Sequence, residues 1–302
     1  MTPRRRKVVR ILLSLFGLAA AVLGTFVLNG LVLAAGERPV PVQGKGSAAP
    51  APKAGDTIRI LAYNIAKAFV HQGGIDFTSE DVAKARLVRL AATVSAAAPD
   101  LVFLSEALWD CGPCPIDQVA AIADAAGLPH RMLGENYNVG WPGYRIAGGN
   151  ASLSRFPLRP VANFDLTGRK PFYETTNNRR ALFAALDLAD GREILLGAMH
   201  VDSFSRANNA VQWRQIIDWI GERPTILAGD FNARPDAPGV LALKASGRYV
   251  GAFDGPGTAL FRKPPERIDF VLAPASFEHL STEVLASDAS DHLPVLGVFR
   301  VR

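Results

Sequence analysis

The sequence predicts an α/β fold, on three observations. Short apolar runs of strand length recur along the chain, and many end in a polar or charged side chain. Segments with helical apolar spacing lie between them. The 302 residues, 49% hydrophobic and 20% charged, suffice for one large α/β domain plus an appendage, or for two ordinary domains.

The appendage comes first. Arg4, Arg5, Arg6 and Lys7 precede a stretch from Ile11 to Ala35 with no charged side chain and only Ser14, Thr25 and Asn29 as polar breaks. About 20 apolar residues span a bilayer, whereas the apolar region of a cleavable signal runs about 7–15. Residues 11–35 therefore read as an uncleaved transmembrane anchor. The small residues Ala34-Ala35-Gly36 make cleavage, and hence secretion, the alternative. The positive-inside bias puts residues 1–10 in the cytoplasm and everything after Gly36 outside. Residues 36–55 carry Pro39, Pro41, Gly44, Gly46, Pro50 and Pro52. They read as a flexible or semi-extended linker holding the body, residues 56–302, a short distance above the membrane.

The net charge of +5 would ordinarily suggest a polyanion partner. Residues 1–53, however, hold eight Lys or Arg and one acid, Glu37, which sums to +7. The remaining 249 residues carry 5 − 7 = −2, so the basicity belongs to the tail. Composition gives no support for a nucleic-acid-binding surface on the body.

Within the body, Thr57 to Ile65 alternates as a strand, with Asn64 at its end, a position where a lone Asn is ordinarily a turn former. Ala83 to Ala98 has helical spacing (Leu87, Leu90, Val94) and stops at Pro99-Asp100. Leu101 to Leu104 reads as a buried strand carrying Ser105-Glu106 at its C-terminal end. A carboxylate there is costly unless satisfied. A metal ion is the natural partner, and a single Glu leaves positions open for water and phosphate, as Mg²⁺ prefers.

Cys111-Gly112-Pro113-Cys114 has the letters of a thioredoxin site but not its strand-to-helix setting. Outside the cytoplasm a short structural disulfide is expected, with a free or metal-bound pair and a redox site as alternatives. Ile116 to Ala126 reads as a helix ending at Gly127. Gly148-Gly149 permits close backbone approach ahead of a strand through Asn150 to Ser154. Residues 158–178 are polar and irregular, as a substrate rim would be. Arg179-Arg180 then lead a strand candidate, placed either to meet a phosphate or to be solvated.

Glu193 to Ser203 repeats the pattern of an apolar strand, here ending in His200. Residues 207–220 form an amphipathic helix with Val211, Ile216, Ile217 and Ile220. Thr225 to Ala228 is a short strand, followed by Gly229-Asp230-Phe231-Asn232-Ala233-Arg234-Pro235. If the backbone stays extended, Asp230 and Asn232 share one face. A carboxylate and a carboxamide in one cleft can activate a water and hold an oxyanion; an Asx turn is the plain structural alternative. After a Gly/Pro-rich stretch come Arg267-Ile268-Asp269-Phe270-Val271-Leu272 and Ser290-Asp291-His292-Leu293-Pro294-Val295.

The ordered set Asn64, Glu106, His200, Asp230 with Asn232, Asp269, and Asp291-His292 resembles the endonuclease/exonuclease/phosphatase superfamily. Its members include deoxyribonuclease I, abasic-site endonucleases, neutral sphingomyelinases and inositol polyphosphate 5-phosphatases. The likeness covers about residues 57–302, and its most specific pieces are 229–235 and 290–295. It implies a four-layer α/β sandwich, two mixed sheets face to face with helices outside, and an active site where strands of both sheets end. By the same resemblance Glu106 would bind Mg²⁺ or Mn²⁺, with Asn64 beside it and Asp291 completing the metal site. Asp230 would orient or deprotonate the attacking water, and Asn232 would contact the phosphate. His292 would pair with Asp269, and His200 would lie against the scissile phosphate. Asn150 and Arg180 are expected to bind the substrate phosphate, with Arg179 and Tyr144 competing for that place.

The resemblance implies a divalent-metal-dependent phosphodiesterase, expected as a monomer. Its substrate is either nucleic acid met outside the cytoplasm or a phospholipid or sphingolipid headgroup, which the anchor and the nearly neutral body favour. The alternative from another class is a membrane-tethered, non-catalytic binding or adhesion domain that retains the fold.

Overall fold

The computed structural model describes residues 3–73, 76–168 and 179–302. Its elements begin with α1 (Pro3–Leu28), which runs into a π-helical turn, Asn29–Leu33. Then follow β1 (Val40–Gln43), β2 (Thr57–Asn64), a tight turn at Ala66–Phe69, β3 (His71–Gly73), β4 (Asp76–Phe77), α2 (Glu80–Ala96) and β5 (Leu101–Cys111). Next are α3 (Gln118–Ala126), β6 (His130–Trp141), β7 (Tyr144–Ser154), β8 (Arg159–Asp165), β9 (Arg180–Asp187) and β10 (Glu193–His200). The chain closes with α4 (Arg206–Ile220), β11 (Thr225–Asp230), α5 (Pro238–Ala245), β12 (Tyr249–Gly251), β13 (Asp269–Pro274), β14 (Phe277–Val284) and β15 (Val295–Val301).

Two mixed sheets carry the fold, one of seven strands ordered β1-β6-β7-β5-β2-β15-β14, the other of six ordered β12-β13-β11-β10-β9-β8. Their facing sides bury Ile58, Ile60 and Phe103 from the first against Leu182, Leu196 and Val271 from the second. On the outer side of the first sheet, Leu87, Leu90 and Val94 of α2 and Ile122 of α3 cover Leu61, Val102 and Leu153. Trp213 and Ile216 of α4, with Val240 and Leu243 of α5, cover Phe183, Leu227 and Phe270 of the second. This is the four-layer α/β sandwich expected. The helices start where their sequences allow: Asp117 caps α3 by accepting from Ala120 N at 2.8 Å, and Ser205 caps α4 by accepting from Asn208 N at 3.2 Å.

Parallel pairing brings the functional strand ends together. β2 and β5 are parallel, as are β10 and β11. Register sets His200 opposite Asp230, and Asp230 opposite Asp269 on β13. Ser105 Oγ donates to Met199 O at 3.0 Å, tying the two sheets at this end.

Three sequence expectations are corrected. First, β5 does not stop at Leu104 but runs on to Cys111, with a register shift between Leu104 and Ala107. The double glycine makes this possible: a Cβ on Gly148 would lie 2.3 Å from Ala107 O. Second, part of the expected linker is sheet. Val40–Gln43 pairs antiparallel with β6 at the sheet edge, where Pro41 is tolerated because no further strand needs its missing N–H. Third, Cys111 and Cys114 form no disulfide. Both are buried with Val70, Ala83 and Leu108 as small apolar side chains, and the turn is closed by Cys114 N donating to Cys111 O at 3.1 Å. Most of the second half of the expected substrate rim, residues 169–178, lies outside the described residues.

Candidate active site

The site begins with strained backbone. Glu106 sits in the bulge of β5 at φ +53°, a left-handed conformation disfavoured for a residue with a Cβ. Bulges re-aim side chains, and this one turns the Glu106 carboxylate into a cleft of about 340 Å³. Opposite it, Ala66, Lys67, Ala68 and Phe69 are all left-handed and coil the chain so that Lys67 Nζ lies on Glu106 Oε2. Gln118 locks both pieces, accepting from Leu108 N at 2.9 Å and donating to Lys67 O at 2.7 Å.

Across the cleft, β11 ends in Asp230. Gly229 is required there, since a Cβ at its φ of +129° would stand 2.3 Å from Met199 O. The backbone does not stay extended after Asp230: Asn232 is left-handed at φ +43°, and its N–H donates to Asp230 Oδ1 at 2.8 Å. The Asx turn and the shared cleft are thus both present, because the turn itself folds Asn232 Nδ2 back to Asp230 Oδ2 at 3.1 Å. Asn209 of α4 pins the turn, its Nδ2 donating to the carbonyls of Asp202, Phe231 and Asn232 at 2.8, 3.1 and 3.1 Å.

His292 Nδ1 donates to Asp269 Oδ2 at 2.9 Å, and its Nε2 lies 3.8 Å from Asp230 Oδ2. His200 Nε2 is 3.7 Å from both Glu106 Oε1 and Asp230 Oδ2. Asn64 sits in the middle, its Nδ2 within 3.0 Å of Asp230 Oδ2, 3.4 Å of His292 Nε2 and 3.5 Å of Glu106 Oε1. Its Oδ1 accepts from Ala66 N at 3.0 Å, so Asn64 faces the cluster as a donor.

The electrostatics follow from these contacts. Burial pushes the Asp230 carboxyl up, and the neighbouring Asp269 carboxylate adds to it, against the opposing pull of His292. Burial works against the His292 imidazolium, but Asp269 and Asp230 outweigh it and push its pKa up to about 10. His200 is held neutral by burial and by Arg179. Burial opposes ionisation of Glu106, yet the charge and hydrogen bond of Lys67, with the charge of Arg179, hold its carboxyl well below the usual range.

Eight of the expected site residues therefore converge. Glu106, His200, Asp230, Asn232, Asp291 and His292 line the cleft, with Asn64 and Asp269 hydrogen-bonded behind them. Asn150 and Arg180 do not line it. Asn150 is buried and donates to the carbonyls of Arg180 and Ala198 at 2.8 and 3.3 Å. Arg180 is buried against Asp165 at 3.4 Å. The adjacent Arg179 instead reaches Ser203 Oγ at 3.1 Å, beside the cleft, and Tyr144 stands exposed at the tip of the β6–β7 hairpin. Lys67, Phe204, Phe261 and Arg262 belong to the site and were not singled out from sequence. For Arg262 the signal was its place in a Gly/Pro-rich stretch between two motif segments.

Two groups of donors suit a cation differently. Asp230, Asp269 and His292 offer ligand atoms within 4.8 Å of one another. All three are buried, however, and already engaged: His292 Nδ1 with Asp269, and both Asp230 oxygens with Asn64 and Asn232. Glu106 and Asp291 are the carboxylates that remain partly open on the cleft wall, and the ammonium of Lys67 on Glu106 marks it as a place that collects positive charge.

The family model described as "Endonuclease/Exonuclease/phosphatase family" matches residues 61–292. No curated protein matches the chain. Among solved structures, an endonuclease/exonuclease/phosphatase from Beutenbergia cavernae DSM 12333 is 23% identical, with 81% of this chain and 72% of that one covered and a TM-score of 0.59. The catalytic domain of human Nocturnin, with bound sulfate, is 16% identical over 88% of this chain and 98% of its own, at a TM-score of 0.57. A mannosyl-6-phosphatase from Bacteroides thetaiotaomicron VPI-5482 is 18% identical over 80% and 99%, at 0.51. These likenesses concern the fold. The family match covers most of the chain and contains every strand end that builds the cleft: this protein belongs to the endonuclease/exonuclease/phosphatase family.

Proposed function

We propose that the protein is a divalent-metal-dependent phosphodiesterase that hydrolyses its substrate by in-line attack of water. The observation that carries this reading is the cleft itself: a buried carboxylate, Asp230, set between the His292–Asp269 pair and the neutral His200, with Glu106 and Asp291 on the open wall. Glu106 and Asp291 are hard oxygen donors that fit Mg²⁺ or Mn²⁺, with Asn64 beside them. When bound, the ion would neutralise charge growing on the phosphate and polarise its ester bond.

The chain's own groups supply the rest. Asp230 accepts the proton of the attacking water; its raised pKa makes it a stronger base than an ordinary carboxylate. Asn232 and Asn64 hold that carboxylate in one orientation by three hydrogen bonds. The His292 imidazolium, kept charged by Asp269, and the uncharged N–H of His200 face the region where negative charge develops. Arg179 and Arg262 add positive charge at the rim. The anchor reading of α1 is part of the proposal: it is long and apolar enough to cross a membrane.

The test assays the purified full chain with Mg²⁺ on plasmid DNA, RNA, sphingomyelin and phosphatidylinositol phosphates. Hydrolysis of one class, lost in EDTA and lowered at least about a hundredfold by Asp230→Ala, is the expected result. Activity that persists in chelator, or equal rates in the variant, would remove the metal or the Asp230 assignment respectively.

A further inference from the structure

α1 is not joined to the domain by a loose tether. Asn29 Nδ2 donates to Asn138 Oδ1 at 2.7 Å, and Ala35 N donates to Glu135 Oε1 at 3.0 Å. Asn163 Nδ2 donates to Gly36 O at 2.7 Å, and β1 then enters the sheet beside β6. On the other side, Trp141 Nε1 donates to Val22 O at 2.9 Å, and its ring meets Phe26 edge-on at 5.6 Å. These contacts run in order along β6, from Leu133 through Glu135 and Asn138 to Trp141, as the chain is followed backwards from Val40 to Val22. The helix therefore lies along β6 and projects past the tip of the β6–β7 hairpin.

That tip is at the catalytic end. β6 and β5 both pair antiparallel with β7, so they run the same way, and both point their C-terminal ends where β2, β10 and β11 end in the cleft. We propose that the cleft faces the bilayer that α1 enters and takes as substrate a phosphate ester carried on a membrane lipid; the substrate half rests on the hydrolase reading above.

The dimensions agree. From Ile11, the first residue after the last basic side chain, Arg10, about 20 residues cross the hydrocarbon layer and reach Gly30. Val22, which Trp141 touches, lies eight residues inside that limit, or ~12 Å at the helical rise. Gly149, paired with Ala107 next to Glu106, lies five residues from Tyr144, or ~17 Å of strand. The difference leaves the cleft roughly 5 Å from the hydrocarbon boundary, within the headgroup layer.

The rim suits that place. Trp141 and Tyr144 at the hairpin tip, Phe204 at 91% exposure and Phe261 are aromatic side chains left open to solvent, two of them lining the cleft. Tyr and Trp are favoured at the membrane interface, and Arg262, which lines the cleft with its guanidinium 5.2 Å from the Phe261 ring, would meet lipid phosphate.

The experiment uses the full chain in phosphatidylcholine/phosphatidylglycerol nanodiscs. An environment-sensitive fluorophore is attached singly at Tyr144→Cys, Phe204→Cys or Asp190→Cys, the last in the β9–β10 turn at the opposite end. Quenching by spin-labelled lipid is expected at the first two sites and not at the third. In the same discs, Trp141→Ser/Tyr144→Ser should lower headgroup release at least tenfold while leaving hydrolysis of a small soluble phosphodiester within twofold. Labels at 144 and 204 quenched no more than at 190 would overturn the orientation. Quenched labels with hydrolysis of plasmid or soluble ester, but none of lipid, would overturn the lipid substrate. Quenched labels with no hydrolysis of any ester would refute the hydrolase reading while the orientation stands.

Discussion

Replacing Asp269 by Asn tests the charge arrangement on which the proposed chemistry depends. The side chain keeps its shape but loses its charge, 2.9 Å from His292 Nδ1 in a site where His292 is only 4% exposed. In the native protein His292 is raised from 6.5 to about 10, which corresponds to about 5 kcal/mol in favour of the imidazolium. Asp269 is the largest favourable contributor, ahead of Asp230, while burial pulls the other way. Without the carboxylate, burial dominates, and His292 should become neutral near or below its ordinary value. The sign fixes the pH window. A folded pKa above the unfolded one stabilises fully below about 6.5 and loses that contribution as pH rises through about 10. The variant should therefore be less stable by about 3–5 kcal/mol at pH 6, as for a broken buried ion pair, with the gap narrowing towards pH 10. Imidazole NMR on EDTA-treated protein reads the ring directly: native His292 should stay charged at pH 8.5, and the Asp269→Asn ring should be neutral. A native ring that titrates near 6.5 would refute the reasoning, as would a variant ring that stays charged at pH 8.5.

Other consequences are more local. Lys67→Met removes the ammonium that a divalent ion bound as proposed would have to displace from Glu106, so Mn²⁺ binding measured by calorimetry should tighten about tenfold, a change of ~1.4 kcal/mol; unchanged or weaker binding would mean Lys67 does not compete for that carboxylate. Asn209→Ala leaves the carbonyls of Asp202, Phe231 and Asn232 without their shared donor, at about 1–3 kcal/mol. Its melting temperature should fall by at least ~2 °C and its turnover by more than that of an equally destabilised core variant. The buried thiols of Cys111 and Cys114, both pushed up in pKa by burial, should resist a water-soluble maleimide until the protein is unfolded, as mass spectrometry would show.

The frame and the acids of the cleft were legible because strand ends write themselves as apolar runs bounded by one polar residue. Asn64, His200, Asp230 and Asp269 all stand at strand termini, and pairing of those strands carries them to one end. What escaped depends on geometry that sequence does not encode locally. Lys67 reads as a surface lysine, and only four successive left-handed residues bring it to Glu106. Arg179 and Arg180 are neighbours of equal chemistry. Which of them meets the cleft is set by β9, whose first residue, Arg180, pairs with Asp165 of β8. The segment around Val40 reads as linker because of its prolines, yet an edge position accepts Pro41 and lets its neighbours pair with β6. Phe204 and Phe261 carry no motif, so their exposure at the cleft emerges only from the folded chain.

The backbone strain has the same address as the chemistry. Among the described residues, left-handed non-glycine conformations occur at Ala66, Lys67, Ala68, Phe69, Glu106 and Asn232 around the cleft, and elsewhere only at Ala98. Each costs roughly 1–2 kcal/mol, so the six would melt the site's loops unless something over-determined them. Three amide side chains do so: Asn64 holds Ala66 N, Gln118 holds Lys67 O and Leu108 N, and Asn209 holds the carbonyls flanking Asn232. All three amides are almost fully buried, where an unsatisfied polar group is costly. Relaxing Ala66, Lys67 or Asn232 would strand one of these amides, and losing an amide would release the strain it opposes. The two costs lock each other, which is how a site built on bulge and turn keeps Glu106 and Asp230 fixed on opposite walls of one cleft.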